Sequence, residues 1–163
     1  MKKDINKKII IGFSIGDYNG IGPEILLKSF MNSQLFNKCI PIIFCDKRIL
    51  EYYNNRFNYK LKIEKKDSLK TKFKDNILYT TSDEESQIII KPGHISKKAG
   101  NYSIKSLKNS IKHLEKNEIH GLVTLPISKI NSQSEFFSFP GHTEFLKSKY
   151  NVEDNIMIMC SKK

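Results

Sequence analysis

The sequence predicts an α/β fold built on a parallel sheet, and three observations predict it. Residues 8–15, 39–45 and 121–125 are almost unbroken apolar runs, as in strands buried on both faces. A glycine-punctuated turn and a proline-led helix separate the first two, making residues 8–45 a β-α-β unit. Between residues 96 and 117, Tyr102, Ile104, Leu107, Ile111 and Leu114 keep helical spacing.

Each element has its own reason. The run Lys8 to Ile15 is the first strand, and Gly16 to Gly22 is the turn that ends it. Pro23 suits the first turn of a helix, where a missing N–H costs nothing, and Ile25, Leu26 and Phe30 form that helix's apolar side. Cys39 to Cys45 is the second strand, and Pro41 places that residue at a strand beginning or an edge. A short helix is expected from Lys47 to Tyr53, then strands at Leu61–Glu64 and Ile77–Thr80. A polar loop follows from Thr80 to Ser86, and Gln87–Lys91 reads as a strand ended by Pro92-Gly93. After the long helix, Gly121–Leu125 is a strand stopped by Pro126. Thr143 to Tyr150 is helical, with Thr143 placed to cap it, and Asn155–Cys160 is a final apolar strand.

At 163 residues, 39% hydrophobic and 28% charged, the chain has the composition of a single globular domain or part of a larger one. No apolar run approaches the roughly 20 residues of a membrane span, and no signal peptide opens the chain, so a cytoplasmic location is expected. Three scattered cysteines build neither a disulfide framework nor a Cys-x-x-Cys metal site. The net charge is +11, carried by 26 lysines and only two arginines, Arg48 and Arg56. Base readout leans on bidentate arginine and single-strand binding on interleaved aromatics, so the charge reads as a solvated face rather than a nucleic-acid surface. No flexible linker divides the chain into two domains.

Three stretches could carry chemistry. Gly16-Asp17-x-x-Gly20-Ile21-Gly22-Pro23-Glu24 opens a helix, whose N-terminus favours anions, but it is neither a dinucleotide fingerprint nor a P-loop. A tight structural turn with Asp17 satisfying its amides explains it equally well. Thr124-x-Pro126-x-x-Lys129 follows a strand, where ligands gather in open α/β sheets, and Lys129 could meet an acid or a phosphate there. Pro140-Gly141-His142-Thr143-Glu144 enters a helix, with His142 able to donate to a substrate oxygen or move a proton. The alternative is a capped helix beside a surface histidine. His94, His113, His120 and His142 form no i,i+3 or i,i+4 pair, and His113 falls on a solvated flank of the long helix, so no complete metal site is expected.

In this order, the stretches at 14–24, 94–100, 122–129 and 139–146 resemble the front half of the 4-hydroxythreonine-4-phosphate dehydrogenase (PdxA) family, relatives of isocitrate and isopropylmalate dehydrogenases. Gly-Ile-Gly-Pro-Glu is shared across that superfamily; Pro-Gly-His-Thr-Glu after a Val-Thr-x-Pro-x-x-Lys strand end is far more specific. The resemblance implies a three-layer α/β/α subunit of two domains, working as a homodimer with its active site in a cleft. It implies oxidation of the secondary alcohol of 4-phosphooxy-L-threonine by NAD or NADP, then loss of carbon dioxide, in pyridoxal 5'-phosphate biosynthesis. A divalent metal (Zn, Mg or Co) acts as Lewis acid in that chemistry.

By position, His142 and Thr143 match the family's substrate-contacting pair, Gly20, Ile21 and Gly22 match a loop near the cofactor, and Lys129 matches a family lysine as a catalytic candidate. The family's metal ligands fall beyond Cys160, so the chain is expected to be a truncated N-terminal part, inactive by itself. Two alternatives stand beside this reading: a fragment of an isopropylmalate- or isocitrate-like dehydrogenase, and a non-catalytic module binding anions or nucleic acid.

Overall fold

In a computed structural model, which describes residues 8–31, 34–81, 87–133, 137–159 and 161, five parallel strands carry helices on both faces. The elements are β1 (Ile9–Ser14), α1 (Gly22–Met31), α2 (Gln34–Lys38), β2 (Cys39–Phe44), α3 (Lys47–Arg56), β3 (Lys62–Lys65), β4 (Ile77–Thr80), α4 (Lys97–Glu115), β5 (Gly121–Thr124), α5 (Lys129–Ser132) and α6 (His142–Lys149). The strand order is β3-β4-β2-β1-β5. β1 pairs with β2 from Ile9↔Cys39 to Ser14↔Phe44, and with β5 from Ile11↔Gly121 to Ser14↔Thr124.

Strand alternation sorts the core into two faces. Phe13, Ile15, Ile43 and Leu78 join Leu26, Leu27 and Phe30 of α1 and Ile49, Leu50 and Tyr53 of α3. Ile42, Phe44, Ile77 and Tyr79 form a second cluster, with Ile119 and with Leu114 of α4. Each fully buried Leu, Ile or Phe is worth roughly 1.5–3 kcal/mol relative to exposure, so these two layers dominate the stabilisation. The expected three-layer α/β/α arrangement and the 8–45 β-α-β unit are present.

The differences from the expected elements have physical causes. Pro41 lies inside β2, a central strand, yet β2 pairs with β4 only from Ile42 onward, so the proline occupies a stretch with a neighbour on one side alone. Residues 87–91 form no strand: the Lys91 amide donates to the Asn19 side chain (2.8 Å) instead of joining a ladder. The expected loop at 80–86 falls mostly on residues outside those described. Residues 155–159 are not a strand either, and Cys160 lies outside the described residues. Ile156 and Met159 stand 87% and 92% exposed, with no pairing of this stretch among the described residues. The helices α2 and α5, five and four residues long, were not expected.

The basic stretch at 60–74 is partly structural. The Lys66 ammonium lies 5.5 Å from the Tyr79 ring centre and 5.7 Å from that of Phe73. Asn58, Asn117 and Asn151, just beyond α3, α4 and α6, take the left-handed conformation at φ 55°, 56° and 48°. His113 is half-buried rather than on a solvated flank: its ring lies 5.0 Å from that of Phe44, and Nδ1 lies 2.6 Å from Glu118 Oε2.

Candidate functional site

β1 has β2 on one side and β5 on the other, so the strand order switches direction at β1/β5, and ligands of open α/β sheets bind beyond the carboxyl ends at such a point. The loop after β1 is laid directly on the loop after β5. Gly16 has φ 69°, and a β-carbon there would lie 2.2 Å from the Pro126 carbonyl oxygen, so only glycine fits. The Asp17 amide donates to that same carbonyl at 2.9 Å.

Asp17 is buried and ties the loop to two other segments. Its Oδ1 accepts the Asn19 amide (2.8 Å), and its Oδ2 accepts from Asn131 Nδ2 of α5 (2.8 Å). Asn131 Nδ2 also donates to the Ser96 carbonyl at the entrance to α4 (3.0 Å). α5 sits so close to α4 that a β-carbon on Gly100 would lie 1.9 Å from the Asn131 carbonyl oxygen. Asn19 holds residues 91–94: its carbonyl accepts from the Gly93 amide, its Oδ1 from the Lys91 amide, and its Nδ2 donates to the His94 carbonyl. The expectation that Asp17 satisfies turn amides is met. Asn131 and Asn19 carried no signal beyond residue type.

Lys129 opens α5 and is exposed, with no hydrogen bond or ion pair to the described residues. Its placement follows from Asn131 two residues on. Ile127, two residues before it, packs into the cluster of Leu107, Ile111, Phe137 and Phe145. That cluster seats α6 along α4, and α6 begins at His142 with Gly141, not Thr143, at the cap position. Thr143 is therefore in the first turn, half-buried, and its carbonyl accepts from Asn155 Nδ2 at 3.3 Å. The alternative of a surface histidine does not hold: His142 is half-buried, its Nε2 is sealed from solvent, and that nitrogen has no hydrogen-bond partner among the described residues. Burial holds its pKa below the ordinary 6.5. Such a ring is neutral at pH 7 and can exchange a hydrogen bond with a ligand oxygen.

Gly20, Ile21 and Gly22 lie at the rim of the same crevice. A β-carbon on Gly22 would meet the Ile15 carbonyl oxygen at 3.1 Å and Leu125 Cβ at 3.3 Å, so this glycine sits in close packing. Ile21 is 59% exposed, and the three residues carry no polar side chain. Among the described residues no three His, Cys, Asp or Glu side chains gather to hold a metal. No helix of the described residues is long and apolar enough to cross a membrane.

Residues 37–163 match the model of a family described as pyridoxal phosphate biosynthetic protein PdxA. The chain is 32% identical over 155 residues to a 4-hydroxythreonine-4-phosphate dehydrogenase of Bacteroides thetaiotaomicron, covering 93% of this chain and 42% of that one. It is 31% identical over 167 residues to a putative D-threonate 4-phosphate dehydrogenase of Oceanobacillus iheyensis, covering 98% and 48%. Among solved structures, a 4-hydroxythreonine-4-phosphate dehydrogenase from Burkholderia phymatum superposes with TM-score 0.80 at 22% identity, over 91% of this chain and 46% of that one. That likeness shows the fold. The chain thus spans about half the length of the relatives it matches.

Proposed function

The chain belongs to the PdxA family of pyridoxal phosphate biosynthetic proteins, and from that premise we propose that it forms the substrate-gripping half of a dehydrogenase acting on a small acid phosphorylated at carbon 4. The observation that carries this reading is the buried Nε2 of His142, inside Pro-Gly-His-Thr-Glu, which has no hydrogen-bond partner among the described residues. A buried polar atom without a partner costs about 1–3 kcal/mol, a cost that a bound substrate oxygen removes.

On this reading the neutral His142 ring and the Thr143 hydroxyl hold the substrate's oxygens. The Lys129 ammonium supplies positive charge toward its carboxylate or phosphate, and the Gly16–Asp17–Asn131 tie fixes the crevice floor beneath. Oxidation of the carbinol sends a hydride to an acceptor and a proton to a base, after which a β-keto acid loses carbon dioxide. Bound NAD or NADP supplies the hydride acceptor, and Gly20, Ile21 and Gly22 are the residues that would face it. Homodimeric assembly of the complete enzyme belongs to the same proposal.

The names of the two relatives divide the substrate question at carbon 2, where 4-phosphooxy-L-threonine has an amine and D-threonate 4-phosphate a hydroxyl. The first is the favoured substrate. The second stands beside it because relatives with that name match at nearly equal identity. The test is an NMR titration of the 163-residue chain with each compound. The expected result is a saturable shift of the His142 ring and Thr143 amide signals, weakened roughly tenfold or more in His142→Ala. Signals at both residues that stay still at millimolar ligand would overturn the proposal. Tighter binding of the threonate would move the assignment to the second substrate.

A further inference from the structure

We propose that Asn19 and Gly20 form a self-modifying site, a deamidation centre that the strap at residues 91–94 holds shut. Asn19 is the one asparagine in the sequence followed by glycine. Glycine has no β-carbon to shield its amide nitrogen, so ring closure onto the preceding side chain is least hindered at this pair.

The step needs only water besides the chain. The Gly20 nitrogen gives its proton to hydroxide and bonds to Asn19 Cγ. The Cγ–Nδ2 bond breaks, and Nδ2 takes a proton from water and leaves as ammonia. A second water opens the succinimide at either carbonyl. The product is aspartate, or isoaspartate with one more carbon in the main chain.

The fold keeps each participant from reacting. Asn19 is 4% exposed, so water and hydroxide have little access to Cγ. The Gly20 amide donates to the Asp17 carbonyl at 3.0 Å. Asn19 Oδ1 accepts from the Lys91 amide (2.8 Å), and Nδ2 donates to the His94 carbonyl (3.1 Å). The side-chain amide therefore cannot turn toward Gly20 without giving up both bonds. Lys91, Pro92, Gly93 and His94 are all exposed and outside any helix or strand, the kind of backbone that opens first. Each opening of the strap frees the amide, and conversion is one-way. The new carboxylate cannot donate to His94, and it places a charge close to the buried Asp17, whose Oδ1 accepts the Asn19 amide. Conversion thus unfastens the strap permanently, beside the rim formed by Gly20 and Ile21.

The test is incubation of the 163-residue chain at mildly alkaline pH, with and without urea, followed by mass mapping of the peptide that contains Asn19. In urea, Asn19 should convert ahead of every other asparagine; without urea, it should convert roughly tenfold or more slowly. Lys91→Pro removes one donor of the lock and leaves Asn19 and Gly20 untouched. It should raise the rate without urea by roughly fivefold and leave the rate in urea unchanged. Gly20→Ala should slow conversion in both conditions. Converted protein, separated by its added negative charge, should exchange the Gly93 amide faster with deuterium. The Leu27 amide, in the core helix α1, should stay as protected in Lys91→Pro as in the parent chain. Equal rates with and without urea, or no conversion at Asn19 in urea, overturn the proposal. So does an unchanged rate in Lys91→Pro, or unchanged Gly93 exchange in the converted protein. Faster conversion accompanied by lost protection at Leu27 overturns it as well, since global unfolding rather than the strap would then be the gate.

Discussion

Asn131 and Asp17 stand 114 positions apart in the chain and meet at 2.8 Å, amide nitrogen to carboxylate oxygen. The same amide reaches Ser96, so one side chain pins the loop after β1, the entrance of α4 and the helix that carries Lys129.

Asn131→Ala should therefore cost about 2–3 kcal/mol, because it leaves a buried carboxylate oxygen and the Ser96 carbonyl without their donor. Combined with Asp17→Ala, the losses should fall short of additive by about 0.5–3 kcal/mol. Urea melts of the four proteins measure this, and strict additivity would mean the contact carries no energy.

Gly100→Ala tests the fit of α5 on α4. In an exposed helix interior, alanine is better than glycine by about 1 kcal/mol. Here its β-carbon would lie 1.9 Å from the Asn131 carbonyl oxygen, so overpacking reverses the sign. The expected outcome is a net loss of about 1–3 kcal/mol, together with weaker substrate binding as Lys129 is displaced. Thermal melts and the substrate titration report the two effects separately.

Ser106 sits where α4 crosses the ends of β1 and β2. Its hydroxyl donates to the Phe44 carbonyl (2.5 Å) and accepts from the Ile15 amide (3.0 Å), all in the interior. Ser106→Ala should cost about 1–3 kcal/mol by stranding both groups. An unchanged urea midpoint would contradict it.

Acid should weaken the fold through His142. The unfolded ring takes a proton near 6.5, while burial delays this in the folded state to a lower pH. The contribution is whole above pH 6.5 and is lost as pH falls through the folded midpoint. A ring-proton titration should place that midpoint below 6.5, and His142→Asn should flatten stability between pH 7 and 5. A midpoint at or above 6.5 would refute the burial argument.

Much of the frame was legible because burial on both faces writes itself as apolar runs, as at 8–15 and 39–45. The misreadings share a cause. Residues 87–91 and 155–159 are as apolar as a strand, but a strand also needs a neighbour, and pairing partners are not encoded locally. Pro41 was placed by a local rule, whereas β4 joins β2 only from Ile42, one residue later, and that decides what the proline costs. At the site, His142 stood out by its motif, yet its burial depends on α6 docking through Phe145 onto α4. Gly22 also packs closely against the Ile15 carbonyl and Leu125, a contact that loop spacing alone does not show. Asn131 could not have been singled out: an asparagine in a four-residue helix has no pattern, and its partner lies in the loop after β1, far back in the chain.

The asparagines that end α3, α4 and α6 have a consequence for how this chain tolerates change. With only eight glycines, it spends several where neighbouring atoms leave no room for a methyl group, and leaves helix stopping to a residue that bears the left-handed turn less comfortably. Exchange between the two residue types should thus run one way. Glycine introduced at 58, 117 or 151 should be harmless or mildly beneficial, while asparagine introduced at 16 or 100 would drive the crevice walls apart.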